Sequence, residues 1–350
     1  MTPYQASMSP NCRRFMRQTV DRPEIFQTGD RVQLTGPKGR LNTFTLSTGG
    51  KWGSHKGEIL HDQIIGIPEG SVIANSAGVE YLALKPLLTD FVLSMPRGAN
   101  IVYPKDAGQI ITQGDIFPGA KVVEAGVGSG GLASYLLRAI GRDGQLISFE
   151  KREEFAQIAE SNVVTELGHK PKNWSITVGA LEQELPEKVK PGSVDRVVLD
   201  MLSPWNCINE VSEALRPGGV LVVYVATVTQ LSRVTQAIEQ TSGYTAPVAQ
   251  ETMVRGWHVQ GLAVRPEHRM IAHTGFLVFA RRLAPNTVLP KFKTTRASKT
   301  QYSEEDLEIW TPEALGEPSA SPKKIRKNVR KADAAKQAKL SKGGKDIEEN

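Results

Sequence analysis

The sequence predicts an α/β architecture: a mainly parallel sheet with helices on both faces, plus a small N-terminal β-domain. Two observations predict it. Over residues 91–283, apolar runs of strand length alternate with stretches of helical periodicity, the pattern of right-handed βαβ units. Over residues 21–90, short apolar runs are closely spaced and separated by glycine turns, which suits a small barrel or sandwich. Residues 1–20 then read as a flexible N-terminus and residues 284–350 as a basic tail without unique structure.

In the first region, Gly29 to Leu34 reads as a strand and Thr35-Gly36-Pro37-Lys38-Gly39 as a turn. Leu41–Leu46, Glu58–Leu60, Gln63–Ile67 and Tyr81–Leu84 read as further short strands. In the second, Lys121-Val122-Val123-Glu124 is a buried-type strand, followed by a helix carrying Leu132, Leu136, Leu137 and Ile140. Gln145–Phe149 is the next strand and Arg152–Leu167 a helix; Val194–Leu199 and Gly219–Val225 repeat the pattern. Met253–Val259 and Thr274–Ala280 read as an antiparallel pair closing one sheet edge. The tail carries ten Lys or Arg between Lys323 and Lys345 against one acid, Asp333, and few large apolar residues. It reads either as a solvated solubility tail or as a flexible arm that captures RNA phosphates.

At 350 residues, 39% apolar and 23% charged, the chain suits two domains and a tail. A net charge of +6 permits a polyanionic partner without requiring one. No apolar run approaches a membrane span, and MTPYQASMSPNCRRFMRQ lacks the apolar stretch of a signal peptide, so a cytoplasmic location is the default expectation. Cys12 and Cys207 are too few for a disulfide framework, and the six histidines show no HxH or HExxH spacing, so no metal is expected.

The chemistry centres on Glu124-Ala125-Gly126-Val127-Gly128-Ser129-Gly130-Gly131, a strand end running into a helix. Glycines there let the backbone turn sharply and let a ligand approach main-chain N–H groups. Read as Gly126-x-Gly128-x-x-Gly131, with Glu150 downstream, the segment fits a dinucleotide as well as S-adenosylmethionine. Three features favour the latter. Glu124, just before the glycines, attracts an α-ammonium group but repels a pyrophosphate. Arg216-Pro217-Gly218-Gly219 running into Val220–Val223 is typical of the segment before strand five in class I methyltransferases. Asp200 ends the strand Val197-Val198-Leu199 beside Ser203-Pro204-Trp205, at the carboxyl end of a parallel strand where ligands bind. Glu150, at the end of strand two, is placed to accept hydrogen bonds from ribose hydroxyls.

Tyr103-Pro104-Lys105-Asp106, Val123 to Leu132, Leu199-Asp200-Met201-Leu202-Ser203-Pro204-Trp205 and His273-Thr274-Gly275-Phe276-Leu277-Val278 occur in that order. Together they resemble the tRNA (adenine-N1)-methyltransferases, most closely the bacterial single-subunit form, over most of Gly29–Leu283. The resemblance implies a Rossmann-like class I methyltransferase fold, with the N-terminal β-domain helping to hold tRNA. It implies S-adenosylmethionine-dependent methylation of N1 of adenosine 58 in the T-loop of tRNA by a homotetramer. It places the cofactor pocket at Val102, Ser129, Gly130, Gly131, Leu132, Glu150, Ala180, Leu181 and Asp200, beside Glu124, Gly126 and Gly128 read from the turn itself. Ala180 is often Asp in the family, so contacts to the cofactor adenine come from main chain or elsewhere.

Asp200 is the candidate catalytic carboxylate, because methylated adenine carries positive charge. Tyr103 is a candidate wall or partner for the base, or a core tyrosine. Trp205 either stacks on an extruded adenine or packs beneath its loop, with packing favoured. Arg97 and Lys105 are placed to bind phosphates or to lie in solvent. For His273 a structural hydrogen bond is favoured over catalysis. The competing functions are a methyltransferase acting on another RNA, a DNA amine or a protein, a non-catalytic tRNA-binding protein, and a NAD dehydrogenase.

Overall fold

A computed structural model describes residues 25–54, 57–290 and 322–343. The chain divides into two compact units, Met1–Pro86 and Leu87–Asn350.

In the first unit, β1 (Arg31–Thr35), β2 (Leu41–Thr45), β5 (Val72–Ala74) and β6 (Glu80–Leu84) form an antiparallel sheet in the order β2-β1-β6-β5. β3 (Lys51–Ser54) and β4 (Gly57–Leu60) pair separately. Alternation buries Val32 and Leu34 of β1 and Tyr81 and Ala83 of β6 around Phe26, Leu46, Ile59 and Ile64. Gln63–Ile67, expected as a strand, is not one. A 3-10 turn at His61–Gln63 precedes it, and the Ile64 and Ile65 amides bond back to the His61 carbonyl, so they are spent locally.

The second unit begins with α1 (Leu88–Ser94) and α2 (Pro104–Gln113). The alternating core follows: β7 (Lys121–Ala125), α3 (Gly131–Ile140), β8 (Gln145–Glu150), α4 (Glu153–Leu167), β9 (Trp174–Val178), α5 (Leu181–Lys188), β10 (Val194–Asp200), α6 (Ile208–Ala214), β11 (Leu215–Val225) and α7 (Val228–Gln240). β12 (Val248–Gln250), β13 (Trp257–Gln260), β14 (Ala263–Pro266) and β15 (Phe276–Arg281) come next, and α8 (Pro322–Gly343) is last. Seven strands make one sheet, β12-β15-β11-β10-β7-β8-β9, with β15 antiparallel to both neighbours and the other pairings parallel. Strands in a doubly covered sheet are apolar on both sides. Val123 of β7 therefore faces a core with α5, α6 and α7, and Val122 faces one with α2, α3 and α4. Between Val194↔Leu215 and Arg196↔Val220 the register shifts, and the Arg216–Gly219 insertion is taken up as a bulge with Gly218 at φ +78°.

Two expectations change here. Thr274–Ala280 does supply an edge-region strand, but its partners are β11 and β12. Met253–Val259 instead contributes β13, which folds onto β14 as a separate hairpin. Alternating residues announce a strand, not its partner. The tail also departs from expectation: Pro322–Gly343 forms a helix packed on α4. Ile325, Val329, Ala332 and Ala335 recur at helical spacing on its covered side, and Ala332 is only 1% exposed. Small side chains let the two helices meet without a large apolar stripe. The remaining tail, residues 291–321 and 344–350, lies outside the described residues, as does the expected flexible N-terminus.

Candidate active site

Strand order creates the site. From β7 the chain winds to β8 and β9 on one side, whereas β10 lies on the other, and the loops leaving the carboxyl ends of β7 and β10 lead to helices on opposite faces of the sheet, which opens a crevice outside the paired strand ends. The glycine turn forms one wall and Asp200 the other. Gly126 has φ +82°, and a Cβ there would stand 1.7 Å from the Asp200 carbonyl oxygen; no other residue fits. Gly130, at φ +79°, caps α3, and a Cβ would lie 2.9 Å from the Ala159 carbonyl oxygen.

Three carboxyl groups converge on this turn. Glu124 lies opposite Ser148 in register and is fully buried. Ser148 Oγ donates to Glu124 Oε2 at 2.6 Å while accepting from Trp174 Nε1 at 2.9 Å. Glu124 Oε1 is buried with no partner among the described residues. Burial raises this carboxyl to about 8 against the Ser148 hydrogen bond, and the charges of Asp200 and Glu150 push the same way. Glu150, also buried, accepts from the Gly128 amide at 3.0 Å on Oε2 and from the Arg152 amide at 3.1 Å on Oε1. Asp200 is half-buried and makes no side-chain hydrogen bond among the described residues. Desolvation, then the Glu150 charge, lifts it to about 7.

This cluster is under-neutralised. The ion pair it makes among the described residues is Arg152 Nε to Glu150 at 3.4 Å. A cationic ligand relieves the repulsion and a pyrophosphate aggravates it, so the residues fit the sulfonium and ammonium of S-adenosylmethionine and not a dinucleotide. Among the described residues no group of His, Cys, Asp and Glu is arranged to hold a metal ion.

The other sequence-selected residues fall around the crevice in different ways. Ser129 is buried, and its hydroxyl accepts from the Gly98 and Ala99 amides at 3.2 and 3.4 Å, tying loop 96–100 to the glycine turn. Gly131 opens α3, where a Cβ would press on Val92 and Met95 at 3.1 and 3.2 Å. Val102, Leu132 and Leu181 have side chains packed in the cores, which leaves main-chain groups for a ligand. Ala180 caps α5 beside Gly179, whose amide donates to the Glu150 carbonyl at 2.9 Å. Tyr103 is half-buried at the start of α2 and lies near Tyr224, which pairs with Asp200 in register.

Lys105 neither faces solvent nor is free for phosphate: its ammonium is held by Asp106 at 2.8 Å and Thr274 Oγ1 at 2.6 Å. Thr274 Oγ1 donates in turn to Asp106, and Tyr224 donates to the Thr274 carbonyl at 2.6 Å. This buried network locks the Tyr103 segment to the start of β15. Sequence reasoning missed it; its signal was a Lys-Asp pair inside a motif. Ser148 and Asn162 were missed as well. Asn162 Nδ2 donates to the Pro96 and Ser129 carbonyls, each at 2.9 Å.

Arg97 turns its guanidinium back onto the Leu93 and Val92 carbonyls at the end of α1. Trp205 packs on the core with the Arg233 guanidinium 4.1 Å above its ring, the packing role expected for it. His273 Nε2 lies 3.0 Å from the Ala226 carbonyl oxygen, a structural contact. The buried Cys207 thiol is pushed up to about 12 and is unreactive at neutral pH.

The strand order, the glycine turn and the under-neutralised carboxyl cluster define a class I methyltransferase that uses S-adenosylmethionine. Residues 25–73 match the family described as TrmI-like N-terminal, and residues 80–264 match the tRNA methyltransferase complex GCD14 subunit family. The chain belongs to the tRNA (adenine-N1)-methyltransferase family. It is 33% identical to the Thermus thermophilus tRNA (adenine(58)-N(1))-methyltransferase TrmI, over 71% of this chain and 95% of that protein. Among solved structures, a SAM-dependent O-methyltransferase from Thermotoga maritima superposes with a TM-score of 0.70 at 31% identity, covering 76% of this chain and 97% of the other. The tRNA (m1A58) methyltransferase TrmI of Aquifex aeolicus gives 0.65 at 26% identity, covering 74% and 99%.

Proposed function

We propose that this protein transfers the methyl group of S-adenosylmethionine to N1 of adenosine 58 in the T-loop of tRNA. The observation that carries this reading is the Asp200 carboxyl, left without a hydrogen-bonding partner among the described residues in the crevice of a chain whose relatives methylate that atom.

Bound S-adenosylmethionine supplies an electrophilic methyl group on a sulfonium. The chain binds and orients. Glu150 accepts from the ribose hydroxyls with the lone pairs that Gly128 and Arg152 leave free. Glu124 and Asp200 supply the negative charge that the ammonium requires. Main-chain groups of Gly126, Gly128, Ser129, Gly130, Gly131 and Leu132 line the turn, and those of Val102, Ala180 and Leu181 frame the adenine. Adenine N1 attacks as a neutral nucleophile and the ring becomes cationic, so a carboxylate beside it stabilises the transition state more than the ground state. Asp200 takes that role, accepting from the exocyclic amine, and Tyr103 forms a wall for the base. Exposing the adenosine from the T-loop costs a few kcal/mol, offset by stacking and phosphate contacts. The decisive experiment is mass spectrometry of tRNA transcripts treated with the enzyme. 1-Methyladenosine is expected with adenosine at position 58 and absent when that base is replaced; retention in the replaced transcript moves the activity to another base.

The working form is a homotetramer, supported by the β13–β14 hairpin. Trp257 is 58% exposed there and Leu262 fully exposed, with Val259 and Val264 beside them, a patch that water disfavours. Trp257→Lys combined with Leu262→Lys is expected to reduce the mass seen by light scattering; a monomeric wild type would overturn the assignment. The enzyme works in the cytoplasm on the tRNA pool, a reading that its tRNA-methylating relatives support.

A further inference from the structure

We infer that the exposed face of α8 is a fixed phosphate-binding surface for the tRNA backbone, built onto the catalytic unit beside the cofactor turn. This rests on the tRNA reading above, and it concerns a segment outside the regions that match the family, which end at residue 264. Lys323, Lys324, Arg326, Lys327, Arg330 and Lys331 are all exposed and make no ion pair among the described residues. At 3.6 residues per turn they fall within an arc of about 160°, and at 1.5 Å per residue they extend over about 12 Å. The opposite arc docks: Ala332 is buried, Lys336 beside it reaches Glu160 at 3.4 Å, and Asp333, at the border between the two arcs, accepts from Ser161 of α4 at 2.8 Å.

The helix is also tied toward the active site. Asn328 donates to the Arg97 carbonyl, in the loop that Ser129 and Asn162 fasten to the glycine turn. Its cations are therefore held at a set place relative to the loop that borders the glycine turn. A free tail would capture RNA by charge alone, from any direction. A docked row of cations instead holds a phosphate strand at one distance from the reacting base, which contributes to positioning as well as to affinity. The sign of the face suits a polyanion, and the substrate is one.

The test is filter binding of tRNA across a salt series with full-length protein. One variant replaces all six exposed cations by Gln; a second replaces the four lysines by Arg; Ala332→Arg undocks the helix while adding charge. The Gln variant should lose about 10- to 100-fold in tRNA affinity at 150 mM salt, with a log–log salt slope shallower by about 2 or more. Arg for Lys should bind as wild type does, and Ala332→Arg should bind more weakly despite its extra cation. Affinity for S-adenosylmethionine and circular dichroism should be unchanged in the Gln variant. Wild-type affinity and slope in the Gln variant would overturn the proposal, as would undiminished binding by Ala332→Arg. Failure of wild-type protein to bind or methylate tRNA would instead overturn the function it rests on.

Discussion

Asp200→Ala is expected to lower the rate of methyl transfer to tRNA by at least about a hundredfold, the scale of removing one preorganised charge from a transition state. It should leave the fold intact, because the Asp200 side chain makes no hydrogen bond among the described residues and is repelled by Glu150. Asp200→Asn, of the same shape without the charge, should lose nearly as much. Full activity of either variant on transcripts would remove Asp200 from the mechanism.

The same carboxyl predicts a pH dependence. Asp200 and Glu124 sit at about 7 and about 8 in the folded protein, above their ordinary values of 3.8 and 4.5. The native state therefore holds more protons than the unfolded state between those limits, and stability falls as pH rises. In the cofactor-free protein this contribution is fully favourable below about 4 and is lost once both groups ionise above about 8. The cationic cofactor needs them ionised, so its affinity should rise from pH 6 to 8.5 while the free protein weakens. Thermal melts with and without S-adenosylmethionine check both signs. Asp200→Ala should flatten both trends, and a wild-type affinity independent of pH would contradict the assignment.

Gly126→Ala is the second large effect. A methyl group there meets main chain at 1.7 Å, and backbone cannot rotate aside as a side chain can. The φ of +82° adds strain of about 1–3 kcal/mol. The ends of β7 and β10 must separate, so cofactor binding should be lost and stability reduced by at least about 2 kcal/mol. Gly128→Ala provides the contrast: at φ +53° its Cβ meets nothing nearer than 3.4 Å, so only the strain of about 1 kcal/mol applies to stability. Denaturant melts and calorimetric titration of the pair measure the difference. Wild-type stability in Gly126→Ala would show that the strand ends yield more easily than their geometry implies.

β7, β8, β10 and β11 and the helices α3 and α4 are legible in the chain because strand and helix periodicities differ, whereas β9 and the short helices α5 and α6 are not picked out. The positions of Glu124, Glu150 and Asp200 were readable because each sits at the end of an apolar run. Local spacing also located the glycine turn and explained why it opens a helix. What spacing could not convey was depth or partnership. That Glu124 is sealed beneath the turn, with one oxygen unpartnered among the described residues, depends on Ser148 and Trp174 arriving from neighbouring strands. That Lys105 is buried depends on Thr274, far along the chain. The partner of Met253–Val259 is not legible because alternation does not name a neighbour, and the docking of α8 is not legible because alanines on a basic helix carry little hydrophobic signal. The sequence by itself determined the order of elements and the chemistry at the strand ends, since both follow from short-range pattern. Only the tertiary structure decided which carboxyls repel one another and which cations are free, because charge interactions depend on distance and burial, and these are set by residues remote in sequence.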